Sequence, residues 1–497
     1  MARHDPVWRA VAGAVVAAAL ALALYTGTRA GQHTFDAFMF TAAIKHNVYS
    51  PGVFRPHNLL YLPSALLVHR TAKTVWPDFD PFLSGQLLAA AAGAASVGLF
   101  YVLMARLLGL GRAALLTALF ATTHALWAMS TEVEVYTLAL LPQVALYLWL
   151  LARRPQGVVG GCYWGLAILG HLTNVLLALP LAAAWVARRA LRRPAVAASV
   201  VLTAAGLAAG VYLIAGLAVE GVRSPRGMLQ WIEAYALSQP AYGLAALSQI
   251  PLGVRGLADS LAAGAALYWL APHLLLFGLA SVMVFRRWRM SARRGAAMAA
   301  AHLAANAAFF TWWEPLNIEF WVATTLPLLV LVALGWRAAS GALTRHALTV
   351  LLVAALAVQI VFNTPRIVAR RDPAGDEWLE RARRVAAVTK PYDLIVTFND
   401  PLIAAYFIVN GRYDVTGMDV MAGGPNPSLG QAARLLKSKV ERVRAYGGGI
   451  YVTPEGLRPT DLQLARIRAS REEYLAALRE ATGSALTEPV AGGLLYR

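Results

Sequence analysis

Polar side chains that could do chemistry gather in a few short segments between long apolar runs of this sequence. The first segment follows the first apolar run and holds Asp36, Arg55 and His57. Later segments contribute Glu132, Glu134, Tyr136, His171, Asn174, Arg255, Glu314 and Asn317. Charged groups at membrane depth are energetically costly, so they usually mark a binding site, a reaction site or a pathway. These residues are therefore the candidates for function, and the elements around them decide whether they share one place.

The composition is that of an integral membrane protein. Of 497 residues, 58% are hydrophobic and 14% are charged, and the mean hydropathy is +0.54, which lies far from an average soluble domain. A net charge of +18 would suggest a nucleic-acid partner in a soluble protein. Here the arginines form short clusters between apolar runs, as cytoplasmic loops do, so we predict no nucleic-acid partner. A single cysteine, Cys162, excludes an intramolecular disulfide.

Long apolar runs predict about eleven membrane-spanning helices, because a span needs roughly 20 apolar residues. Nine runs stand alone: Ala10–Thr28, Leu83–Ala105, Ala113–Met129, Val135–Ala152, Ala195–Val219, Ala262–Phe285, Gly295–Phe310, Phe320–Trp336 and Ala347–Phe362. The stretch Gly157–Ala187 is long for one span and short for two, and arginine clusters flank it on both sides. Two short helices that turn at residues 171–174 would keep both clusters on one face of the membrane, so we favour two.

The distribution of Lys and Arg orients the chain with its N-terminus in the cytoplasm. In that orientation the inner segments hold seventeen basic residues, whereas the much longer outer loops hold eight. All the polar segments named above then lie at the outer face. An odd number of spans places the C-terminal region outside the membrane as well.

The sequence changes character after residue 364, since fifteen of its 26 acidic residues lie beyond that point. Helical spacing appears over Asp376–Val388, Ser428–Tyr446 and Leu462–Ala481, and buried strands are expected at Tyr392–Phe398 and Gly449–Val452. This alternation predicts a small α/β domain over residues 365–497 with a partly parallel sheet. The predicted fold is thus a polytopic α-helical membrane domain, residues 1–364, followed by a soluble, extracytoplasmic α/β domain.

The order of the polar motifs resembles the GT-C class of membrane glycosyltransferases, and in particular bacterial relatives of the protein O-mannosyltransferases. The resemblance covers residues 1–363. It consists of Asp36 after the first helix, Arg55-Pro56-His57 in a long first loop, Glu134-Val135-Tyr136 after the third span and Gly170-His171-Leu172-Thr173 before the sixth. The usual family element in the first loop is a His-Pro-Pro pattern, from which Arg55-Pro56-His57 departs.

The resemblance implies an inverting transferase of the bacterial inner membrane that moves a sugar from a polyprenyl-phosphate donor to an acceptor hydroxyl at the outer face. Such a reaction needs a general base for the acceptor proton and positive groups for the leaving phosphate. The implied base is Asp36. The implied phosphate contacts are Arg55, His57 and Arg255. The implied sugar pocket consists of Glu134, Tyr136, His171 and Asn174, and the implied acceptor or lipid entrance of Glu314 and Asn317.

The implied partners are the lipid-linked donor, membrane lipids and an acceptor that is a glycan, a lipid or a protein. No cofactor is predicted. A metal site built from Glu and His stays open, although no close ligand spacing supports one.

Each candidate residue also has a purely structural interpretation. Asp36 could be a carboxylate at a helix end, and Arg55 could extend to lipid headgroups. Glu132 or Glu134 could cap the next helix, and His171 and Asn174 could join neighbouring helices by hydrogen bonds. The alternative function is transport, by a flippase or exporter of a lipid-linked or anionic solute. The carboxylate-rich outer face and the large outer domain favour an enzyme.

Overall fold

The computed structural model describes residues 7–46, 55–150, 152, 156–187, 194–236, 248–286, 293–390, 392–398, 400–410, 415–417, 429–461, 464, 469–483, 487–490 and 493–496. The arginine clusters at 153–154, 188–193 and 287–289, which contribute to the predicted orientation, lie outside these residues.

The chain folds as two compact units. The first, the helical unit, comprises Met1–Ala30 and Val48–Arg371, and the second, the α/β unit, comprises Gly31–Asn47 and Asp372–Arg497. This division differs from a boundary after residue 364, which falls inside a helix that continues through Pro365 to Ala369. It also assigns the short segment after the first helix to the same unit as the C-terminal residues.

The helical unit begins with α1 and continues with α3 to α16, whereas α2 (Phe35–His46) belongs to the α/β unit. The first of these helices are α1 (Val7–Gly27), α3 (Tyr61–Lys73), α4 (Pro81–Leu108), α5 (Leu110–Ala121), α6 (His124–Thr131), α7 (Tyr136–Leu150) and α8 (Gly157–Gly170). The later ones are α9 (Ala178–Ala187), α10 (Pro194–Ile214), α11 (Pro225–Ala236), α12 (Ile250–Leu261), α13 (Ala271–Arg286), α14 (Arg293–Trp313), α15 (Ile318–Ala338) and α16 (Ala342–Ala369).

Among the described residues, six helices are long and apolar enough to cross a membrane. They are α1, α4, Pro194–Val219, Leu267–Arg286, α15 and α16. The pair α5 and α6, bent by 64°, forms a seventh if it is one broken span, whereas α7, α8 and Leu172–Ala187 are apolar but shorter. Every predicted span falls on one or more of these helices or on α14. The chain is therefore a multi-pass membrane protein, while the count of eleven spans stays a prediction.

Helices α4 and α15 lie at the centre of the helical unit, with most of their residues buried. Small residues let neighbouring helices approach them closely, as in other membrane bundles. At Gly98 of α4, a side chain would meet the backbone oxygen of Ala14 on α1 at 3.0 Å. This close approach fits the alanine-rich sequence of α1.

The predicted break within Gly157–Ala187 is present. Helix α8 ends at Gly170, His171 is extended, and Leu172–Leu177 forms a 3-10 turn before α9 begins. Helix α8 packs against α7 and α10, whereas α9 packs against α14. The orientation of the two pieces across a membrane stays a prediction.

The α/β unit contains a five-stranded mixed sheet in the order β2-β1-β3-β5-β4. The strands are β1 (Leu394–Thr397), β2 (Val415–Gly417), β3 (Ile450–Val452), β4 (Thr487–Val490) and β5 (Gly493–Tyr496). The first three are parallel to one another, and β5 pairs antiparallel with β3 and β4. The helices of this unit after α2 are α17 (Glu377–Val388), α18 (Asp400–Asn410), α19 (Leu429–Ala445), α20 (Pro454–Leu457) and α21 (Arg471–Thr482).

Sequence patterning predicts five of these ten elements and locates four of them, α17, β1, α19 and β3, to within two residues, whereas the fifth needs a correction. A long helix over Leu462–Ala481 is wrong, because the helix begins only at Arg471. Its N-cap is Ser470, whose hydroxyl accepts from the Glu473 N–H while the Glu473 carboxylate accepts from the Ser470 N–H. This capping box satisfies backbone groups that a continuous helix would have used.

Candidate functional site

Backbone hydrogen bonds join the first-loop segment 55–60 to the helix break after α8. The Leu172 N–H donates to the His57 carbonyl at 2.8 Å, and the Leu60 N–H donates to the Leu169 carbonyl at 3.2 Å. These bonds fix the register of two segments that are distant in sequence. As a result, the His57 and His171 rings lie 6.1 Å apart between centroids, at an interplanar angle of 72°.

Four rings form an aromatic cluster around the same break: Tyr136 on α7, His171, Phe310 on α14 and Phe320 on α15. The Tyr136 ring lies 5.1 Å from that of His171 and 5.8 Å from that of Phe320. Phe310 stacks on Phe320 at 5.4 Å. The structure thus brings together Tyr136 and His171, which the sequence analysis assigned to one pocket, and adds two phenylalanines.

A small, partly open cavity adjoins this cluster. Besides the four rings, its lining residues are Ala139, Gln143, Thr173, Asn174, Val322 and Ala323. All of them belong to the helical unit. The lining is apolar or aromatic with a few polar groups, which is the usual character of a small-molecule site.

Asn174 lines this cavity, but its polar atoms are already bonded to protein groups. Its Nδ2 donates to the Ala167 carbonyl at 2.9 Å, and its Oδ1 accepts from Gln143 Nε2 at 2.8 Å. Its backbone carbonyl accepts from Trp164 Nε1 at 3.0 Å. Asn174 therefore joins α7 to the helix break, as its structural interpretation expects.

The glutamates Glu132 and Glu134 are both fully buried but have different surroundings. Glu132 Oε2 accepts from the Arg370 guanidinium at 2.8 Å, and its Oε1 accepts from the Val133 N–H. This ion pair joins residues that are 238 positions apart. Glu132 is thus paired with Arg370, the residue that follows α16. Glu134 is the glutamate of this turn that lies near another carboxylate.

A carboxylate oxygen of Glu134 lies within 4.8 Å of one of Glu319, the second residue of α15. Glu134 also influences Tyr61, because burial first, and then Glu134 and Glu132, raise the pKa of the Tyr61 hydroxyl well above the usual value. Two carboxylates at this separation repel each other unless a proton or a cation lies between them. Oxygen ligands of this kind suit a divalent cation, so this pair is where the helical unit could hold one.

Glu314 and Asn317 lie in the turn before α15. Asn317 Oδ1 accepts from the Glu319 N–H at 3.1 Å and caps the helix. Its Nδ2 donates to Glu314 and to Glu319, at 3.2 Å each. The turn is held further by Trp321 Nε1, which donates to the Pro315 carbonyl at 2.9 Å.

Arg255 lies on α12, which packs against α15. Its side chain is 68% exposed and pairs with Asp259, one turn further along the helix, at 3.4 Å. Its described contacts do not bring Arg255 to the aromatic cluster or to the segment 55–60. The sequence alone could not show this, because the loop that contains Arg255 has no motif that fixes its position.

Arg55 and His57 differ in the charge that they can offer. Burial, then the neighbouring His171 and Arg55, lower the pKa of His57 well below 6.5. His57 is therefore neutral at physiological pH and can offer only a neutral hydrogen bond to a phosphate. Arg55, which is partly buried in the same segment, supplies the positive charge of the segment 55–60.

Asp36 lies in the first turn of α2, which belongs to the α/β unit. The segment is tied there by the His33 N–H, which donates to Asp376 at 2.9 Å, and by Lys45, whose ammonium donates to the Ile408 carbonyl. Helix α2 also packs on α18. Contacts with C-terminal residues thus hold the segment that carries this carboxylate. Nothing in the local sequence indicates these contacts.

Sequence reasoning missed four residues that contribute to these arrangements: Tyr61, Gln143, Glu319 and Arg370. Gln143 had a usable signal, since an amide inside an apolar span calls for a partner or a ligand. Arg370 had none, because its pairing with Glu132 depends on the tertiary fold.

Comparison with known proteins establishes the fold. No protein-family model matches the chain, and no curated protein matches it. Among solved structures, it is similar to ArnT from Cupriavidus metallidurans bound to undecaprenyl phosphate, with 13% identity, a TM-score of 0.64 and coverage of 97% of each chain. The same protein in the apo state gives 12% identity, a TM-score of 0.64 and 97% coverage of each chain. The chain has the ArnT fold.

ArnT is a GT-C glycosyltransferase, so the GT-C fold predicted from the order of the polar motifs is confirmed. At this level of identity the likeness concerns the fold alone. Its 97% coverage extends over both units of the chain.

Proposed function

We propose that this chain is an inverting membrane glycosyltransferase that moves a sugar from a polyprenyl-phosphate donor to an acceptor hydroxyl. The observation that carries the proposal is the ArnT fold over nearly the whole of both chains, because the matching ArnT structure holds undecaprenyl phosphate. A second support is the cavity of the helical unit, where aromatic rings and a few polar groups converge.

In the proposed reaction the acceptor oxygen attacks the anomeric carbon of the donor sugar while the bond from that carbon to the phosphate oxygen breaks. Asp36 takes the acceptor proton, as a general base does. Arg55 stabilises the leaving phosphate, whose negative charge grows as the bond breaks. Tyr136 and His171 contact the sugar, and Glu134 is the next candidate for the base.

The proposed setting is the bacterial inner membrane, with the N-terminus in the cytoplasm and the α/β unit outside. This orientation rests on the excess of basic residues in the predicted inner loops. Acceptors to be compared are a glycan, a lipid and a protein, all of which can present a hydroxyl at that face.

The test uses purified protein in lipid nanodiscs with radiolabelled polyprenyl-phosphate sugars. The expected result is transfer to an added acceptor, or slow hydrolysis when none is present, with release of the polyprenyl phosphate. Intact donor after prolonged incubation, together with movement of the same lipid across a proteoliposome membrane, would instead establish the transport alternative. The fold shared with ArnT favours the enzyme.

A further inference from the structure

The hydrogen bonds of Asn174 determine how the Gln143 amide is oriented. Asn174 Nδ2 is 2.9 Å from the Ala167 carbonyl, which can only accept a hydrogen bond. Its other amide atom is therefore the oxygen, and the Gln143 atom 2.8 Å from it must be the donor Nε2. The remaining terminal atom of Gln143 is consequently its oxygen, Oε1.

Gln143 Oε1 is a buried acceptor with no hydrogen-bond partner among the described residues. The side chain is only 2% exposed, and it lines the cavity beside the aromatic cluster. Buried polar groups in folded proteins almost always have a partner, so an exception calls for an explanation. A ligand group in the cavity that donates a hydrogen bond would provide one.

The other walls indicate the chemistry of that ligand. Rings of the aromatic cluster meet at angles from 15° between Phe310 and Phe320 to 90° between Tyr136 and Phe320. They therefore present both faces and edges to a small space. A sugar matches such a lining, because its C–H groups can pack on rings while its hydroxyls donate to placed acceptors.

We infer that this cavity receives a hydroxyl-bearing edge of the donor sugar, with one hydroxyl donating to Gln143 Oε1. Gln143 is then a specificity-determining residue that selects which polyprenyl-phosphate sugar is used. This inference rests on the proposed function and deepens it, since it names the part of the donor that the cavity recognises.

The consequence is a preference that one hydroxyl of the sugar controls. A donor analogue that lacks this hydroxyl leaves Oε1 unpaired in the complex, which costs binding in the transition state. We expect about a ten- to hundredfold lower kcat/KM for that analogue, the usual range for one lost hydrogen bond to a buried group.

The experiment compares polyprenyl-phosphate mannose and glucose with their monodeoxy analogues, in the wild type and in Gln143→Leu. In the wild type, one deoxy position should be strongly disfavoured. In Gln143→Leu that discrimination should disappear, because the acceptor is gone while the volume is nearly kept. The matched control is Gln359→Leu: this buried glutamine of α16 has bonds to Thr122 and His273 and lies outside the cavity. It should keep the wild-type pattern.

Binding separates this inference from the proposed function. Polyprenyl-phosphate sugar should bind the wild type more tightly than polyprenyl phosphate alone, and Gln143→Leu should lose most of that difference. Absence of transfer with such binding intact would contradict the proposed function and leave the sugar site in place. Equal use of every deoxy analogue by the wild type would overturn the inference and assign the cavity to water, even if Gln143→Leu failed to fold.

Discussion

Among the described residues, buried polar groups without a hydrogen-bond partner are more numerous in the helical unit than in the α/β unit, where Thr41 Oγ1 on α2 is one. In the α/β unit, Asp393 accepts from the Gly449 and Lys390 N–H groups at 2.6 and 2.7 Å, and Thr453 accepts from the Gly456 N–H. In the helical unit, Gln143 Oε1 and Asn58 Oδ1 are buried acceptors without a hydrogen-bond partner among the described residues.

This difference teaches where function is expected. The polar groups named above in the α/β unit hold strand ends and helix ends in place, so the fold explains them. The unpaired acceptors of the helical unit are costly to bury. One of them, Gln143 Oε1, lies beside the aromatic cluster. Asp36 on α2 is the exception in the α/β unit, because it is a candidate for function. Its substitution therefore tests the difference between the two units most strongly.

The largest effect is expected at Asp36. Asp36→Asn should lower sugar transfer by about 10²–10⁴-fold, because a general base contributes that much, while the nearly isosteric amide keeps the fold and donor binding. Turnover and donor affinity should be measured side by side. Asp78→Asn, at an exposed position, is the control and should be near neutral. If Asp36→Asn folds and keeps most of its activity, α2 has only a structural role, and Glu134 becomes the candidate for the general base.

A second test compares one ion pair in each unit. Glu132 is fully buried against Arg370, which is 25% exposed, so Glu132→Gln leaves a largely buried charge without its partner. Breaking such a pair costs about 3–5 kcal/mol, and we expect the lower end. Glu455 pairs with Arg381 at a more exposed site in the α/β unit, and Glu455→Gln should cost less than about 1 kcal/mol. Thermal unfolding in detergent measures both, and equal losses would contradict the contrast.

The phosphate contact is a test within the helical unit. Arg55→Ala should weaken donor binding or turnover about ten- to a hundredfold, since a hydrogen bond to a charged group contributes roughly 1.5–3 kcal/mol. Arg70→Ala, on the exposed face of α3, should have little effect. Because His57 is already neutral, donor binding should show no step near its ordinary pKa of 6.5. Equally small losses for both arginines would place Arg55 among the lipid-facing residues.

The smallest effects are expected at two helix caps, where the units should behave alike. Asn317 caps α15 and Ser470 caps α21 through hydrogen bonds to backbone N–H groups. Replacing either residue by alanine should cost about 1 kcal/mol of stability, again measured by thermal unfolding. A much larger loss of activity than of stability in Asn317→Ala would show that this turn also contacts a substrate.

Much of the architecture could be predicted because its signals are local. Apolar runs located the membrane helices, since burial in lipid requires length and hydrophobicity over consecutive residues. Asp376 marked the start of α17, where its carboxylate accepts from two N–H groups of the first turn. The break after α8 followed from the charges that flank it.

Tertiary structure alone decided which polar groups meet. It placed Asp36 with the α/β unit, joined Glu132 to Arg370 and set Asn174 against Gln143. It also left Arg255 exposed beside Asp259. The physical reason is that hydropathy and capping act over one or two helical turns, whereas these contacts depend on how distant helices pack. The sequence by itself determined the membrane class, the main elements and the candidates for chemistry. The packing of those elements determined which candidates share a site.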